Sequence, residues 1–210
     1  MVDQPTFIYH FTHIEHLPSI IEKGFLSYNK RQMLQTEHID IAHQDIQQRR
    51  AKTKVPCGPR GTLHDYIPFY FAPRSPMLYA IHKGKVENYQ QGQEPLIYLV
   101  TTVQKVETKG QRFVFTDGHG IMALTEFFDN ISHLDKVDWE VMKSRYWNDT
   151  QEYPDRCRRR AAEFLAYEYL PWEFITEIAV INERIKSQVT SILQNINHKP
   201  SLSIQPDWYY

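Results

Sequence analysis

The sequence predicts a single α+β domain, a mixed β-sheet with flanking helices, and three observations predict it. Segments that read as strands outnumber convincing long helices. The 210 residues, 41% hydrophobic and 23% charged, supply one full core and would make two cramped ones. No internal repeat and no linker divides residues 1–210. A doubly wound parallel sheet is disfavoured, because it needs strands and long helices in regular alternation.

Taken in order, residues 6–11 (TFIYHF) read as a short strand that delivers His10 and Thr12 at its end. Residues 16–24 read as a helix: Pro18 suits a first turn, Leu17, Ile20 and Ile21 share one apolar face, and Gly24 is a natural C-cap. Residues 29–54 are almost wholly polar, with helical character over 39–50, and 55–62 carry turn chemistry. Residues 66–71 (YIPFYF) read as a strand, followed by Pro73, Pro76 and a short helix to about His82. Residues 95–103 form the clearest strand, apolar enough to be central, and 112–115 form another. Residues 117–158 are a long mixed excursion with Trp139, Tyr146 and Trp147 among charges. The pattern over 159–170 is open between helix and strand. Residues 176–181 read as a strand and 183–194 as an amphipathic helix. The terminal Trp208, Tyr209 and Tyr210 are expected to pack on the body, since three exposed aromatics would be unfavourable.

Composition narrows the function classes. A formal net charge of −1 gives no global field toward nucleic acid or acidic membranes, so any polyanion site is a local patch. Cys57 and Cys157 cannot make a disulfide scaffold and fit a reducing compartment. No stretch approaches the roughly 18 apolar residues of a membrane span. The opening residues 1–5 lack the regions of a signal peptide, so the expectation is a cytoplasmic protein with no membrane partner. Aromatics at 13% and ten histidines stand out, and surplus aromatics can stack on bases or a nucleotide.

Residues 118–123 match G-x-G-x-x-A after a strand, but no second strand delivers an acid about 20 residues on, so a turn is the better reading. His10, His13 and His16 invite a metal site. A strand start would scatter them, no fourth ligand has a recognisable spacing, and no metal is expected. Two basic groups run without an acid, Arg49 to Arg60 and Arg156 to Arg160. Such runs are usually solvated faces. With Tyr66, Phe69, Tyr70, Phe71, Tyr146 and Trp147 near in sequence, they also suit a groove for single-stranded nucleic acid. By periodicity alone Glu163 is a surface helix residue.

The motifs IYHFT (8–12) and LPSIIEKGFL (17–26) resemble the opening of ADP-ribosyltransferases. QQRR (47–50), LHDYIPFYFAPRSPMLYA (63–80), FVFTDGHG (113–120) and AEFL (162–165) resemble one branch, the DarT family of bacterial toxins that ADP-ribosylate single-stranded DNA. The likeness runs from about Ile8 to the terminal Tyr210, and the 63–80 motif is its most specific part. The resemblance implies an ADP-ribosyltransferase fold of the kind shared with poly-ADP-ribose polymerases, with NAD+ as co-substrate in a central cleft. By that resemblance His10 and Thr12 bind the nicotinamide end, Tyr70 and Phe71 line its pocket, and Arg50 is the essential arginine of the covering segment 29–54. Glu163 is the catalytic glutamate. His119, Tyr146, Trp147 and the 117–158 excursion face the substrate base, and Arg74 and Met77 lie near the DNA. The implied acceptor is thymidine within a short single-stranded sequence, and the implied partner is a macrodomain antitoxin that removes the ADP-ribose.

That chemistry is physically sensible. Cleaving the nicotinamide–ribose bond develops positive charge on the ribose, which a carboxylate on a ribose hydroxyl stabilises. A guanidinium fork suits a pyrophosphate. A thymine ring nitrogen is a weak acid, so a base must take its proton, a task expected of Glu163 with Arg50 alongside. Two alternatives stay open at this point: the same chemistry on RNA, another base or a protein, and a non-catalytic nucleic-acid-binding domain.

Overall fold

The computed structural model describes residues 4–36, 39 and 41–210. The opening residues 1–3 and residues 37, 38 and 40 of the polar stretch lie outside the described residues, and with them parts of the expectations for the N-terminus and the covering segment.

The chain opens with β1 (Phe7–His13), a 3-10 turn (Ile14–His16), α1 (Leu17–Lys23), β2 (Phe25–Leu26), α2 (Tyr28–Met33) and α3 (Gln44–Lys52). Then come β3 (Tyr66–Tyr70), α4 (Pro76–His82), β4 (Leu96–Thr102), α5 (Val103–Thr108), β5 (Phe113–Thr116) and β6 (Phe127–Phe128). The C-terminal part holds α6 (Trp139–Lys143), α7 (Arg156–Arg160), β7 (Glu163–Tyr167), β8 (Tyr169–Leu170), β9 (Glu177–Val180), α8 (Glu183–Ile192) and β10 (Ser201–Ile204). Among the described residues, eight strands form one mixed sheet in the order β10-β9-β4-β1-β3-β7-β5-β6, and β2 pairs with β8 separately. Only β9 and β10 run parallel among these pairs.

β4 explains why residues 95–103 read as continuously apolar. Ile97 and Leu99 enter one core with Phe69, Phe115 and Phe164, while Leu96, Tyr98 and Val100 enter a second core on the other face with Phe11, Leu78 and Tyr209. α1 begins with Pro18 in its first turn and stops at Gly24, whose φ of 73° is open to glycine and strained for other residues. Its Leu17, Ile20 and Ile21 pack on the first core. In α8 the Asn182 side chain accepts from the Ile185 N–H, and Ile185 and Val189 face the same core. The terminal aromatics pack on the body: Tyr209 is buried and donates its hydroxyl to the Leu96 carbonyl.

Two features position the site. β1 and β4 pair over seven residues, from Phe7↔Thr102 to His13↔Leu96, whereas β1 and β3 share the single register pair Tyr9↔Tyr70. Two residues from that pair stands Pro68, which has no N–H for a ladder bond, so the sheet parts between β1 and β3. Second, the undecided stretch 159–170 resolves into the end of α7, a turn and β7. Glu163 is therefore not a surface helix residue. It opens β7 opposite Tyr70 of β3 and is 1% exposed. Local periodicity misplaced it because its burial comes from β3 and β5, strands far away in sequence.

Candidate active site

A cavity of ≈ 370 Å³ opens where the sheet parts. His10, Thr12, Tyr70 and Glu163 reach it from the strands, Arg50 from α3, Met77 from α4 and His119 from the turn after β5.

Glu163 is held by three contacts. Its Oε1 accepts from Arg50 Nη1 at 2.6 Å, its Oε2 accepts from the Gly120 N–H at 3.1 Å, and its own N–H donates to Thr116 Oγ1. A Cβ on Gly120 would lie 2.8 Å from Oε2, so a side chain there would push the carboxylate aside. The G-x-G at 118–120 is a turn, as its context implied, and its second glycine admits the glutamate. Arg50 is itself buried, and its Nη2 has no hydrogen-bond partner. A buried guanidinium nitrogen at a cavity wall is costly unless a ligand oxygen completes it. This orphan donor fits the phosphate oxygens of a dinucleotide.

On the other side, His10 Nδ1 lies 2.7 Å from the Pro68 carbonyl. A carbonyl only accepts, so Nδ1 carries the hydrogen and Nε2 is left as an acceptor. Burial pushes the His10 pKa down to about 4, against the Pro68 bond, which raises it, and with Arg31, which lowers it further. The ring is therefore neutral near pH 7. Thr12 Oγ1 lies 2.7 Å from His16 Nδ1. Tyr70 stacks on Phe11, with ring centroids 6.2 Å apart, and its hydroxyl meets Met77 Sδ at 3.8 Å. Burial, and then the Glu163 charge, push its hydroxyl pKa up, so it stays protonated.

Four of the expected residues are not brought to this cavity. Phe71 follows Tyr70 and points to the opposite face, where it packs edge-on against Phe115, Trp139 and Phe164. Strand alternation sends neighbours to opposite faces, so Tyr70 and Phe71 cannot both line the pocket. Arg74 lies over the Tyr210 ring at 4.3 Å, and the Trp147 indole N–H donates to the Tyr210 hydroxyl. Tyr146 is 72% exposed. Conversely, Arg31, His16 and His64 line the cavity and were missed. His64 stacks on Tyr28 with centroids 4.0 Å apart and bonds Gln47, and Arg31 lies over Tyr28. Only their neighbourhood in the 63–80 and 17–26 motifs hinted at them.

The second basic run does not form the expected open groove. Arg158 pairs with Asp117 and Asp155, and Arg159 with Asp138 and Asp155. Buried Arg160 donates to the carbonyls of Val141, Met142, Ser144 and Arg74. Among the described residues no three His, Cys, Asp or Glu are grouped to hold a metal ion. His13 turns away to Gln91. No described helix is long and apolar enough to cross a membrane.

A family model described as ssDNA thymidine ADP-ribosyltransferase, DarT, matches residues 9–210. A DNA ADP-ribosyl transferase from Thermus sp. (strain 2.9) is 45% identical over 209 residues, covering 99% of this chain and 97% of the relative. The structure of Thermus sp. 2.9 DarT in complex with ADP-ribosylated ssDNA superimposes with a TM-score of 0.91 at 44% identity, over 98% of this chain and 97% of that one. The complex with NAD+ gives 0.88 at 41% identity, over the full length of both. A DNA ADP-ribosyl transferase-DNA ADP-ribosyl glycohydrolase fusion protein from Thermosipho africanus is 26% identical over 192 residues, and this chain spans 46% of it. The match extends across both halves of the parted sheet and the cavity between them, and the chain belongs to the DarT family of single-stranded-DNA thymidine ADP-ribosyltransferases.

Proposed function

We propose that Glu163 and Arg50 carry the reaction of this enzyme, a DNA ADP-ribosyltransferase that uses NAD+ and acts on thymidine in single-stranded DNA. The observation behind this reading is the buried Arg50–Glu163 pair with Arg50 Nη2 unpartnered at the cavity wall. NAD+ supplies an activated ribose whose leaving group is nicotinamide. Glu163 would accept a hydrogen bond from a ribose hydroxyl and oppose the positive charge that develops there. It would also take the proton from the thymine ring nitrogen as the new bond forms. Arg50 would aim Nη2 at the pyrophosphate and hold the carboxylate in place. His10 and Thr12 would grip the nicotinamide end, with Tyr70 as a wall.

The covering segment 29–54 contributes Arg31, Ile41, Ala42 and the α3 residue Gln47 to the cavity lining. It would keep water from hydrolysing the donor. The 117–158 region would face the base through His119, with Met77 beside the cavity. Arg74, Tyr146 and Trp147, outside the cavity, would meet flanking nucleotides, where stacking serves a strand that needs no base flipping. Persistent modification of DNA makes such an enzyme a toxin. Its partner would be a macrodomain antitoxin that hydrolyses the linkage, working with it in the cytoplasm.

The test is intact mass spectrometry of four single-stranded oligonucleotides incubated with enzyme and NAD+. One lacks thymine, one lacks guanine, one is RNA and one is thymine-rich. One added ADP-ribose is expected on thymine-containing DNA and none with Glu163→Ala. Modification of the thymine-free DNA or the RNA instead would move the acceptor. No modification and no nicotinamide release would overturn the reading.

A further inference from the structure

His16 belongs to no contact discussed so far except one, the bond to Thr12, yet it is buried at the cavity edge with both ring nitrogens engaged. Its Nε2 lies 2.8 Å from the backbone N of Ile39 and its Nδ1 lies 2.7 Å from Thr12 Oγ1. A backbone N–H can only donate, so Nε2 must be the acceptor. A neutral imidazole then carries its hydrogen on Nδ1, and Nδ1 donates to Thr12 Oγ1. The Thr12 oxygen has accepted a hydrogen, and its own hydroxyl hydrogen is left to point elsewhere. Thr12 is 3% exposed and lines the cavity.

We infer that His16 is a positioning residue for the donor site: the Ile39 N–H sets its tautomer, and the tautomer makes Thr12 a hydrogen-bond donor into the cavity. Resting on the reading that Thr12 grips the nicotinamide end, this assigns the group it grips. The donated hydroxyl hydrogen is matched by the carboxamide carbonyl oxygen, whereas the carboxamide NH2 could meet only the oxygen's one remaining lone pair. The arrangement ties the covering segment to β1, because Ile39 precedes Ile41, Ala42 and His43, which line the cavity together with His10, Phe11 and Thr12 of β1. The electrostatics agree with it. Burial first, and then His13, Arg31 and His10, push the His16 pKa down to about 3, so the imidazolium, which could not accept from Ile39, is disfavoured near pH 7.

Two readouts test this on the full chain. In protein carrying ¹⁵N-labelled histidine, long-range proton–nitrogen correlation spectra should show His16 protonated at Nδ1 and bare at Nε2. A ring protonated at Nε2, or at both nitrogens near pH 7, would overturn the inference whatever the enzyme's activity. The kinetic readout is nicotinamide release. His16→Gln puts an amide near the Nε2 position and removes the donor to Thr12, and Thr12→Val removes the hydroxyl. Each should raise KM for NAD+ by about fivefold to tenfold, the scale of one hydrogen bond, and lower kcat less. The double variant should be no worse than Thr12→Val alone, because both remove the same interaction. His16→Asn, whose amide nitrogen stands near Nδ1, should restore much of the KM lost in His16→Gln. Additive losses, or an Asn variant as poor as the Gln variant, would mean that His16 only supports the fold. A wild-type enzyme that releases no nicotinamide would instead sink the functional reading, and the ring tautomer would still decide this one.

Discussion

Two basic runs look alike in the sequence and do opposite things in the fold. Of Arg49 to Arg60, one member reaches inward: Arg50 binds Glu163 with one nitrogen and holds the other unpartnered in the cavity wall. Of Arg156 to Arg160, three members are consumed internally, Arg158 and Arg159 by aspartates and Arg160 by backbone carbonyls. Charge density along the chain does not distinguish them. The difference lies in what the fold leaves unsatisfied, and an unsatisfied buried cation is where a ligand is needed. On this view the first run serves chemistry and the second serves architecture.

The largest expected effect is on the first run. Arg50→Ala should lower ADP-ribose transfer about 100-fold or more, the scale of a lost oxyanion contact, measured as label moved from NAD+ to a thymine-containing oligonucleotide. Arg50→Lys should recover little, because an ammonium cannot bridge Glu163 and a phosphate as a fork does. An Arg50→Lys enzyme with near-normal rates would place the essential contact elsewhere.

Next comes Arg160 in the second run. Arg160→Met keeps the length and leaves the Val141, Met142 and Ser144 carbonyls without their donor, at a cost of about 3 kcal/mol in unfolding free energy by denaturant titration. Arg160 is 4% exposed, and this burial pulls its pKa down to about 10. Transfer by the folded fraction should stay near wild type. A stable Arg160→Met protein that cannot modify DNA would reverse the assignment of the two runs.

How much of this could be seen beforehand follows from the range of the interactions. The β1–α1 opening, β4 and α8 were legible because periodicity and caps act within one element. The long reach of β1 to His13 and the two-residue β2 and β8 were not, since pairing decides them. In the site, the resemblance supplied Glu163 and Arg50, whereas periodicity alone put Glu163 on a solvated helix. The pairing of β7 between β3 and β5 buries it. Tyr70 and Phe71 point to opposite faces by strand alternation, a rule already readable from their adjacency in the sequence. For His16 the signals were its place in a run of histidines and beside the 17–26 motif, and neither points to its contact with the Ile39 N–H.

Acid should separate the runs again. The Arg158 side chain, ahead of Arg159, holds the Asp155 carboxyl below its ordinary range. A lowered folded pKa adds stability above the unfolded value near 4, and this is lost as pH falls through the folded value. The α7 region should therefore loosen below about pH 4, read as lower amide-exchange protection factors over 155–160. His10 acts over a higher window. Its folded pKa of about 4 lies under the unfolded value of about 6.5, so the folded state binds fewer protons between them and stability falls as pH drops across that interval. Removing His10 as His10→Asn should reduce the stability slope between about pH 6.5 and 4, leave the share that His16 contributes, and leave the α7 loosening in place. Protection factors over 155–160, the exchange rates corrected for the intrinsic pH dependence, that stay unchanged from pH 5 to pH 3 would mean the aspartate pairs do not hold that run.

The smallest effect is expected at Arg159, and it is the most telling for the comparison. Its side chain is 47% exposed and meets Asp138 and Asp155. An exposed pair of this kind contributes within about 1 kcal/mol, screened by salt. Asp138 also keeps its bond from the Val141 N–H without the arginine, so the α6 start survives the loss. Arg159→Ala should shift the melting temperature by a few degrees at most and leave oligonucleotide affinity within about twofold, because a cation already matched to two carboxylates releases few counterions on meeting a phosphate. If Arg159→Ala instead weakened oligonucleotide binding tenfold and flattened its salt dependence, the aspartates would be placeholders for phosphates. The second run would then be a nucleic-acid surface that the free protein keeps closed with its own acids.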